Sequence, residues 1–166
     1  MPVAPADFKA ALGRFPAGVT VITMVGSEGD HGMTASAFCS LSLDPPLVLV
    51  CVKNGNTSHG LLQDASGFAV NLLAQDQMNL SNRFAGWGPQ PEDRFGDQGD
   101  ERGAVSGARF LPGAMASLDC TLYGTRDGGD HTIFIGQVEG VVLRGDDAEL
   151  APLLYFKGYK AVGEGL

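Results

Sequence analysis

The chain has 166 residues, of which 44% are hydrophobic and 18% are charged, and its formal net charge is −8. This size and composition predict a single folded domain, residues 1–166, with one hydrophobic core. Acidic residues outnumber basic ones by 19 to 11, and the basic residues form no stripe, which argues against a nucleic-acid-binding protein. We find no secretory signal at the N-terminus and no apolar run long enough to span a membrane.

The three cysteines, Cys39, Cys51 and Cys120, lie in apolar, strand-like contexts. Their number is odd and their spacing matches no zinc motif, so we expect no metal site. Buried, reduced thiols are the expected state, which is typical of a cytoplasmic protein.

The chain is expected to begin with an amphipathic helix capped by Asp7. Its apolar residues recur with helical spacing: Phe8, Ala11, Leu12 and Phe15. Strands are predicted over residues 19–25 and 33–43, separated by a polar turn. The apolar run from Leu47 to Val52 predicts a strand buried on both of its faces.

Two short helices are predicted next, one capped by Thr57-Ser58 and one over residues 76–84, with a strand at 68–73 between them. Residues 85–108 are rich in Gly, Pro and charge, which predicts a surface excursion or lid with Trp87 as its main apolar anchor.

Two long strands are expected over residues 114–125 and 132–143, joined by a hairpin at Gly128-Gly129. The closing segment, residues 152–159, is too apolar and aromatic for a solvated tail. Many strands with few helices, in no regular alternation, favour an antiparallel β-barrel over a doubly wound sheet. The chain carries no glycine-rich dinucleotide or phosphate loop, so any nucleotide is held without a Rossmann unit.

Two stretches carry the functional information. The first is GMTASAFCSLSLDPPLVLVC (residues 32–51), in which small and hydroxyl-bearing residues lead through Asp44-Pro45-Pro46 into an apolar strand. The second is GDHTIFIG (residues 129–136), which places a histidine at the start of a strand. Together they resemble the flavin reductase family, the reductase components of two-component flavin-dependent monooxygenases, and the resemblance covers most of the chain.

This resemblance implies a split β-barrel of the FMN-binding type and a homodimer with flavin in the groove between subunits. It implies FMN or FAD as flavin and NADH or NADPH as reductant; the chain itself does not discriminate between these. The reduced flavin would diffuse to a separate monooxygenase. His131 is expected to position the nicotinamide rather than to shuttle a proton, since hydride transfer is the chemistry of the cofactors.

The resemblance also implies nucleotide contacts along the chain. The residues expected to contact flavin or NAD(P)H, besides His131, are Thr34, Ala35, Ser36, Ala37, Cys51, Val52, Lys53, Asn56, Thr57, Ser58, Arg83, Phe84, Ala85, Gly86, Gly129, Asp130, Tyr155, Phe156 and Tyr159. Gly136 completes the second motif. Each position also has a structural interpretation: Arg83 with Gly86 can end a helix, and the aromatic residues can be core. His31 and His59 are expected at the surface.

Two other functions fit parts of the pattern. A flavin store or sensor would use the same barrel without reducing flavin, and only the Gly129–His131 motif argues against it. An oxidase of the pyridoxamine-phosphate type can share the barrel, but it needs a basic phosphate pocket, which the few Arg and Lys residues disfavour.

Overall fold

The structure is a computed structural model that describes residues 3–146 and 151–161. Its helices are α1 (Pro5–Leu12), α2 (Thr57–Asp64) and α3 (Met78–Ala85). Its strands are β1 (Ala17–Gly18), β2 (Thr20–Gly26), β3 (Gly29–Ala35), β4 (Phe38–Leu43), β5 (Pro46–Lys53), β6 (Gly67–Leu72), β7 (Ala116–Gly128), β8 (His131–Leu143), β9 (Leu153–Tyr155) and β10 (Tyr159–Ala161). Within these ranges, no helix is long and apolar enough to cross a membrane.

The main sheet has seven strands in the order β3-β2-β6-β7-β8-β5-β4, with every neighbouring pair antiparallel. Its two edge strands, β3 and β4, are consecutive in the chain and are separated only by Ser36 and Ala37. The sheet therefore curls until its edges meet, and the Cys51 N–H donates a hydrogen bond to the Ala37 carbonyl at 2.9 Å. This is a split barrel, as predicted. A smaller sheet, β1-β9-β10, stands beside it.

Strand β5 shows how the barrel wall separates inside from outside. Val48, Val50 and Val52 are buried in the main core, whereas Leu47, Leu49 and Cys51 on the opposite face are only half-buried. The expectation of burial on both faces is therefore wrong for a single chain. Alternating side chains place one set in the barrel and the other on its surface.

Two boundary predictions are also wrong. The N-cap of α1 is Ala4, because Pro5 is accepted in the first turn of a helix, and Asp7 lies inside that turn. The strand predicted over residues 33–43 is interrupted where the barrel splits, and its two parts belong to opposite edges of the sheet.

Gly136 is explained by packing inside the barrel. A side-chain carbon at this position would lie 2.5 Å from Cζ of Phe68 and 3.0 Å from Cβ of Cys120. Phe68 is fully buried, so its ring has no free space into which to retreat. The absence of a side chain at Gly136 thus makes room for the central aromatic residue of the core.

We expect Gly136→Ala to lower the free energy of unfolding by about 1–3 kcal/mol, because it overpacks the core against Phe68. Urea denaturation followed by circular dichroism measures the change. The control is Gly60→Ala on helix α2, where an added methyl meets no atom within 4 Å; alanine there should be neutral or stabilise by up to about 1 kcal/mol. Equal stability of the two variants would contradict this account.

The excursion between α3 and β7 is packed against the barrel. Two of its aromatic residues, Phe95 and Phe110, are buried, and the ring centroid of Phe95 lies 4.9 Å from that of Phe84. Trp87 is 54% exposed, so the prediction that Trp87 anchors this segment is wrong. Buried Asp119 accepts hydrogen bonds from the N–H groups of Val105 and Ser106, at 2.8 and 3.1 Å.

An ion-pair cluster ties the same segment to strand β3. The Asp30 carboxylate accepts hydrogen bonds from Arg102 at 2.8 Å and from Arg109 at 2.5 Å. These bonds, first that from Arg102, hold the pKa of Asp30 below its usual value of 3.8, although partial burial opposes them. A charge that is stabilised in the folded state contributes to stability.

We expect Asp30→Asn to lower the free energy of unfolding by about 1–3 kcal/mol near neutral pH, because charge-assisted hydrogen bonds are lost. The folded pKa is depressed, so the contribution of Asp30 is present above pH 3.8 and disappears as pH falls through the lower folded pKa. The difference between wild type and variant, measured by denaturation, should narrow in acid. Asp64→Asn, at an exposed position on α2, is the control. If the difference in unfolding free energy between wild type and Asp30→Asn did not depend on pH, the role assigned to the Asp30 charge would be contradicted.

Candidate functional site

The break between β3 and β4 opens the barrel wall at small side chains. Ser36 and Ala37 are exposed, and Thr34 is half-buried with its hydroxyl donating to the Ser81 carbonyl at 2.6 Å. Ala35 differs, because its methyl group is buried in the core. Of this predicted flavin edge, Thr34, Ser36 and Ala37 offer side chains to the outside, whereas Ala35 has only its backbone to offer.

Two adjoining cavities flank the break. The first, of about 250 Å³, is lined by Val19, Thr34, Ser36, Ala85, Trp87, Tyr155 and Tyr159. The second, of about 540 Å³, is lined by Leu12, Gly13, Phe15, Ala17, Ser36, Ala37, Phe38, Cys39, Leu49, Cys51, Tyr155, Phe156 and Lys157. Ser36 and Tyr155 line both cavities, which therefore form two compartments of one groove.

Some of the residues predicted to contact a nucleotide present no side chain to this groove. The side chains of Val52 and Phe84 are buried in the two main hydrophobic clusters, so neither can cover a ligand. Gly86 ends helix α3 with a left-handed φ of 73°, which is the structural role of a C-cap glycine. Of the predicted segment 84–86, Ala85 lines the first cavity.

The predicted phosphate patch surrounds the N-terminus of α2. Asn56, rather than Thr57 or Ser58, caps the helix by accepting a hydrogen bond from the His59 N–H at 2.7 Å. Thr57 is exposed, and Lys53 is exposed at the end of the preceding strand. The Ser58 side chain is buried and lies within hydrogen-bond distance of a histidine.

That histidine, His31, is a partner that the sequence prediction missed. Its Nε2 lies 2.8 Å from Oγ of Ser58. Burial, reinforced by the charge of Arg94, lowers the pKa of His31. His59 also has partners: Nε2 lies 2.9 Å from Oγ1 of Thr132, and its ring meets the edge of a core phenylalanine. Both histidines are half-buried, so the expectation of simple surface residues is wrong.

The Arg83 side chain contacts the excursion between α3 and β7. Its guanidinium donates to the Asp97 carboxylate at 2.5 Å and to the Arg94 carbonyl at 3.3 Å. The hydrogen bond to Asp97 raises the pKa of Arg83 above its usual value. Arg83 lines neither compartment of the groove, so the structure separates it from the predicted residues that do, such as Ser36 and Tyr155.

The hairpin between β7 and β8 presents His131 at its end. Gly129 has a left-handed φ of 79°, and the His131 Nδ1 lies 2.8 Å from the Asp130 carboxylate. This contact lowers the pKa of Asp130. Asn54 fixes the turn, because its backbone N–H donates to the Asp130 carbonyl at 3.0 Å and its side-chain amide donates to the Gly129 carbonyl at 3.1 Å.

Strand register connects this hairpin to the groove. Cys51 is opposite Ile133, and Lys53 is opposite His131. Side chains two residues apart on a strand share a face, so Cys51 in the second compartment and Lys53 lie roughly 7 Å apart along one surface. His131 therefore stands on the same face of the sheet as the groove.

All three cysteines are free thiols. The prediction of burial is confirmed for Cys120, whereas Cys51 is half-buried and Cys39 is exposed in the second compartment. Burial raises the pKa of Cys51, and that of Cys120 to about 12. Both are protonated at neutral pH, so neither is a thiolate nucleophile.

Aromatic residues from the C-terminal segment close the groove. Tyr155 and Tyr159 face each other across β9 and β10, with ring centroids 5.6 Å apart. The Tyr159 hydroxyl lies 2.9 Å from Oγ of Ser81, which fixes its place in the first compartment. Phe156 lines the second compartment. Across residues 3–146 and 151–161, no cluster of His, Cys, Asp and Glu is arranged to hold a metal ion.

Residues 12–163 match the sequence profile of the flavin reductase like domain. This chain belongs to the flavin reductase family. The match spans the barrel, the groove and the His131 hairpin together, so it covers the whole arrangement described above. The family expected from the two sequence stretches is thereby confirmed, and with it the class of enzyme.

Relatives that are named as flavin reductases support the same conclusion. The reductase component of an FADH(2)-dependent resorcinol hydroxylase from Rhizobium sp. is 42% identical over 152 residues, covering 90% of this chain and 82% of the relative. An NADH-using FMN reductase from Agrobacterium fabrum is 40% identical over 132 residues, covering 80% and 73%. The solved structure of a Streptomyces globisporus NADH:FAD oxidoreductase, with NAD and FAD fragments, is 35% identical, with a TM-score of 0.86 and coverage of 99% and 98%.

Proposed function

We propose that this flavin reductase uses NADH or NADPH to reduce FMN or FAD and delivers the reduced flavin to a separate monooxygenase. The observation that carries the proposal is the groove at the β3–β4 break, continued along one face of the sheet to the His131 hairpin. Relatives named as NADH-dependent FAD and FMN reductases, and as reductase components of monooxygenases, support it.

The residues around the break fit a flavin. Exposed Ser36 and Ala37 let a planar ring approach the backbone, and the two compartments together have the volume of a cofactor pocket. Lys53, Thr57 and the first N–H groups of α2, capped by Asn56, offer a cation and hydrogen-bond donors to the phosphate. A flavin held there would supply the acceptor for a hydride from the reduced nicotinamide.

His131 is assigned to position the nicotinamide. The Asp130 carboxylate holds Nδ1, which fixes the orientation of the ring and leaves Nε2 for the carboxamide or a phosphate of the nucleotide. Asn54 fixes the turn beneath it. Holding two rings in contact supplies most of the acceleration in such a reaction, because it removes the entropy of bringing them together. His131 therefore acts through orientation, and no proton needs to pass through it.

We further propose a homodimer, with the second copy covering the apolar surface beside the groove. Three residues of the N-terminal segment, Phe8, Leu12 and Phe15, are 57%, 56% and 73% exposed, so residues 3–146 and 151–161 leave these apolar side chains largely uncovered. Leu12 and Phe15 also line the second compartment together with Leu49 of β5. A surface this apolar, continuous with a ligand groove, is typical of an interface between subunits. The free thiols agree with a cytoplasmic location for this single-domain enzyme.

We expect the purified protein to oxidise NADH, or NADPH, only when free FMN or FAD is added, with a rate that saturates in flavin. His131→Ala should then lower kcat/KM for the nicotinamide about 10- to 100-fold, because the ring loses its orienting contact. Flavin affinity, measured by flavin fluorescence, should change little. Steady-state absorbance of the nicotinamide follows the reaction.

His131→Gln is the matched control for that variant, since its amide can still contact the nucleotide and should restore part of the rate. Flavin binding without any oxidation of NADH or NADPH would overturn the reductase proposal. If His131→Ala lowered flavin affinity as much as it lowered kcat/KM for the nicotinamide, His131 would be assigned to the flavin site instead of the nicotinamide site.

We expect Phe15→Asp to shift the protein from dimer to monomer, because a carboxylate in an apolar interface must be desolvated. Light scattering after size exclusion measures the mass. Met78→Asp is the control. Met78 is also exposed, at 44%, but it lies at the start of helix α3 and is not part of the proposed interface. A monomeric wild type, or a Phe15→Asp variant that remains dimeric, would refute this interface.

A further inference from the structure

Three aromatic rings meet at the first compartment of the groove. The ring centroid of Trp87 lies 6.5 Å from that of Tyr155 and 6.1 Å from that of Tyr159, with interplanar angles of 52° and 57°. The two tyrosine rings meet edge to face at 5.6 Å. The edge of one tyrosine ring therefore lies against the face of the other, whereas the Trp87 ring is tilted to both and stacks in parallel on neither.

Trp87 is exposed yet held in place. It follows Gly86, the left-handed residue that ends α3, and its N–H donates to the Asn82 carbonyl at 2.9 Å. Its own carbonyl accepts a hydrogen bond from the Gln90 side chain at 2.9 Å. An indole that is 54% exposed on a fixed backbone loses little conformational freedom when a ligand binds, which favours affinity.

The compartment suits a flat, two-ring heterocycle. Besides the aromatic cluster, it is lined by small residues, including the hydroxyl-bearing Thr34 and Ser36. Every nucleobase has a π-face that stacks on aromatic side chains, and its polar edges accept and donate hydrogen bonds. At about 250 Å³ the compartment is less than half the size of the second, of about 540 Å³, which leaves the larger space to the three-ring isoalloxazine.

We propose that Trp87, with Tyr155 and Tyr159, forms a stacking site for the adenine ring of a dinucleotide. The inference rests on the proposed function, because FAD and NAD(P)H are the adenine dinucleotides that such an enzyme handles. Ser36 and Tyr155 line both compartments, so a dinucleotide can place one ring system in each. Trp87 then determines whether the adenine half of the molecule contributes to binding.

The chain reports on this site directly, because Trp87 is its only tryptophan. We expect AMP to quench the tryptophan fluorescence with saturation, since AMP absorbs at shorter wavelengths than tryptophan and quenches it only by contact. Ribose 5-phosphate, which lacks the base, should leave the emission unchanged. This measurement needs neither flavin nor turnover.

Equilibrium binding then identifies the source of the adenine. If it belongs to FAD, the wild type binds FAD more tightly than FMN by about tenfold, the contribution of one stacked base, and Trp87→Ala removes that advantage. If it belongs to the nicotinamide nucleotide, Trp87→Ala removes the advantage of NADH over reduced nicotinamide mononucleotide instead. Trp87→Phe, which keeps an aromatic face, should retain most of either advantage.

The inference is overturned if AMP leaves the fluorescence unchanged and neither ratio changes in Trp87→Ala. It is also overturned if FMN and FAD lose affinity equally, since the cluster would then bind the part that they share, or if Trp87→Ala dissociates the dimer, which would make Trp87 an interface residue. Flavin-dependent oxidation of NADH with FMN tests the reductase separately, because FMN carries no adenine. Failure of one proposal is thus distinguishable from failure of the other.

Discussion

The connection between β3 and β4 is the constraint on which the rest of the structure depends. These strands are the outermost of seven, but only Ser36 and Ala37 join them. Two residues span less than about 11 Å, so the chain itself forces the ends of the sheet together. This connection brings the two edges of the sheet together without pairing them, and so leaves, at the junction, backbone that the ladder of strand hydrogen bonds does not fill.

The groove lies at this junction, and many of its residues belong to the paired strands of the barrel, which hold them in place. Along β5, Val50 and Val52 face the core while Cys51 and Lys53 face outward, so Cys51 is held between two buried residues and Lys53 follows one. The opposing strand supplies His131 at a register position fixed by the same ladder. The groups that we propose to hold the two flat cofactors in contact thereby lie on strands and on a hairpin tip that Asn54 restrains, which is the arrangement that positioning requires.

Local pattern was sufficient for most of the barrel, because period-two apolar runs and Gly-Gly turns depend on neighbouring residues alone. It failed where distant contacts decide. The break at Ser36 looks like continuous strand in sequence, and apolar residues on the outer face of β5 look like core residues. Phe95 is buried because it packs against Phe84, whereas Trp87 is exposed. Both are large apolar residues in sequence, so composition alone does not show which of them is buried. The contact of His31 with Ser58 joins residues 27 positions apart, and no spacing rule predicts it.

The segment that carries Trp87 is attached by contacts of its own. Asp30 binds its two arginines, and Asp119 binds its backbone, at places distinct from the residues that line the groove. The side chains that attach this segment to the barrel are therefore different from the one that we propose to stack on adenine. If Trp87 stacks on adenine as we propose, a substitution at position 87 would change which dinucleotide the protein accepts and would leave these contacts of the scaffold intact.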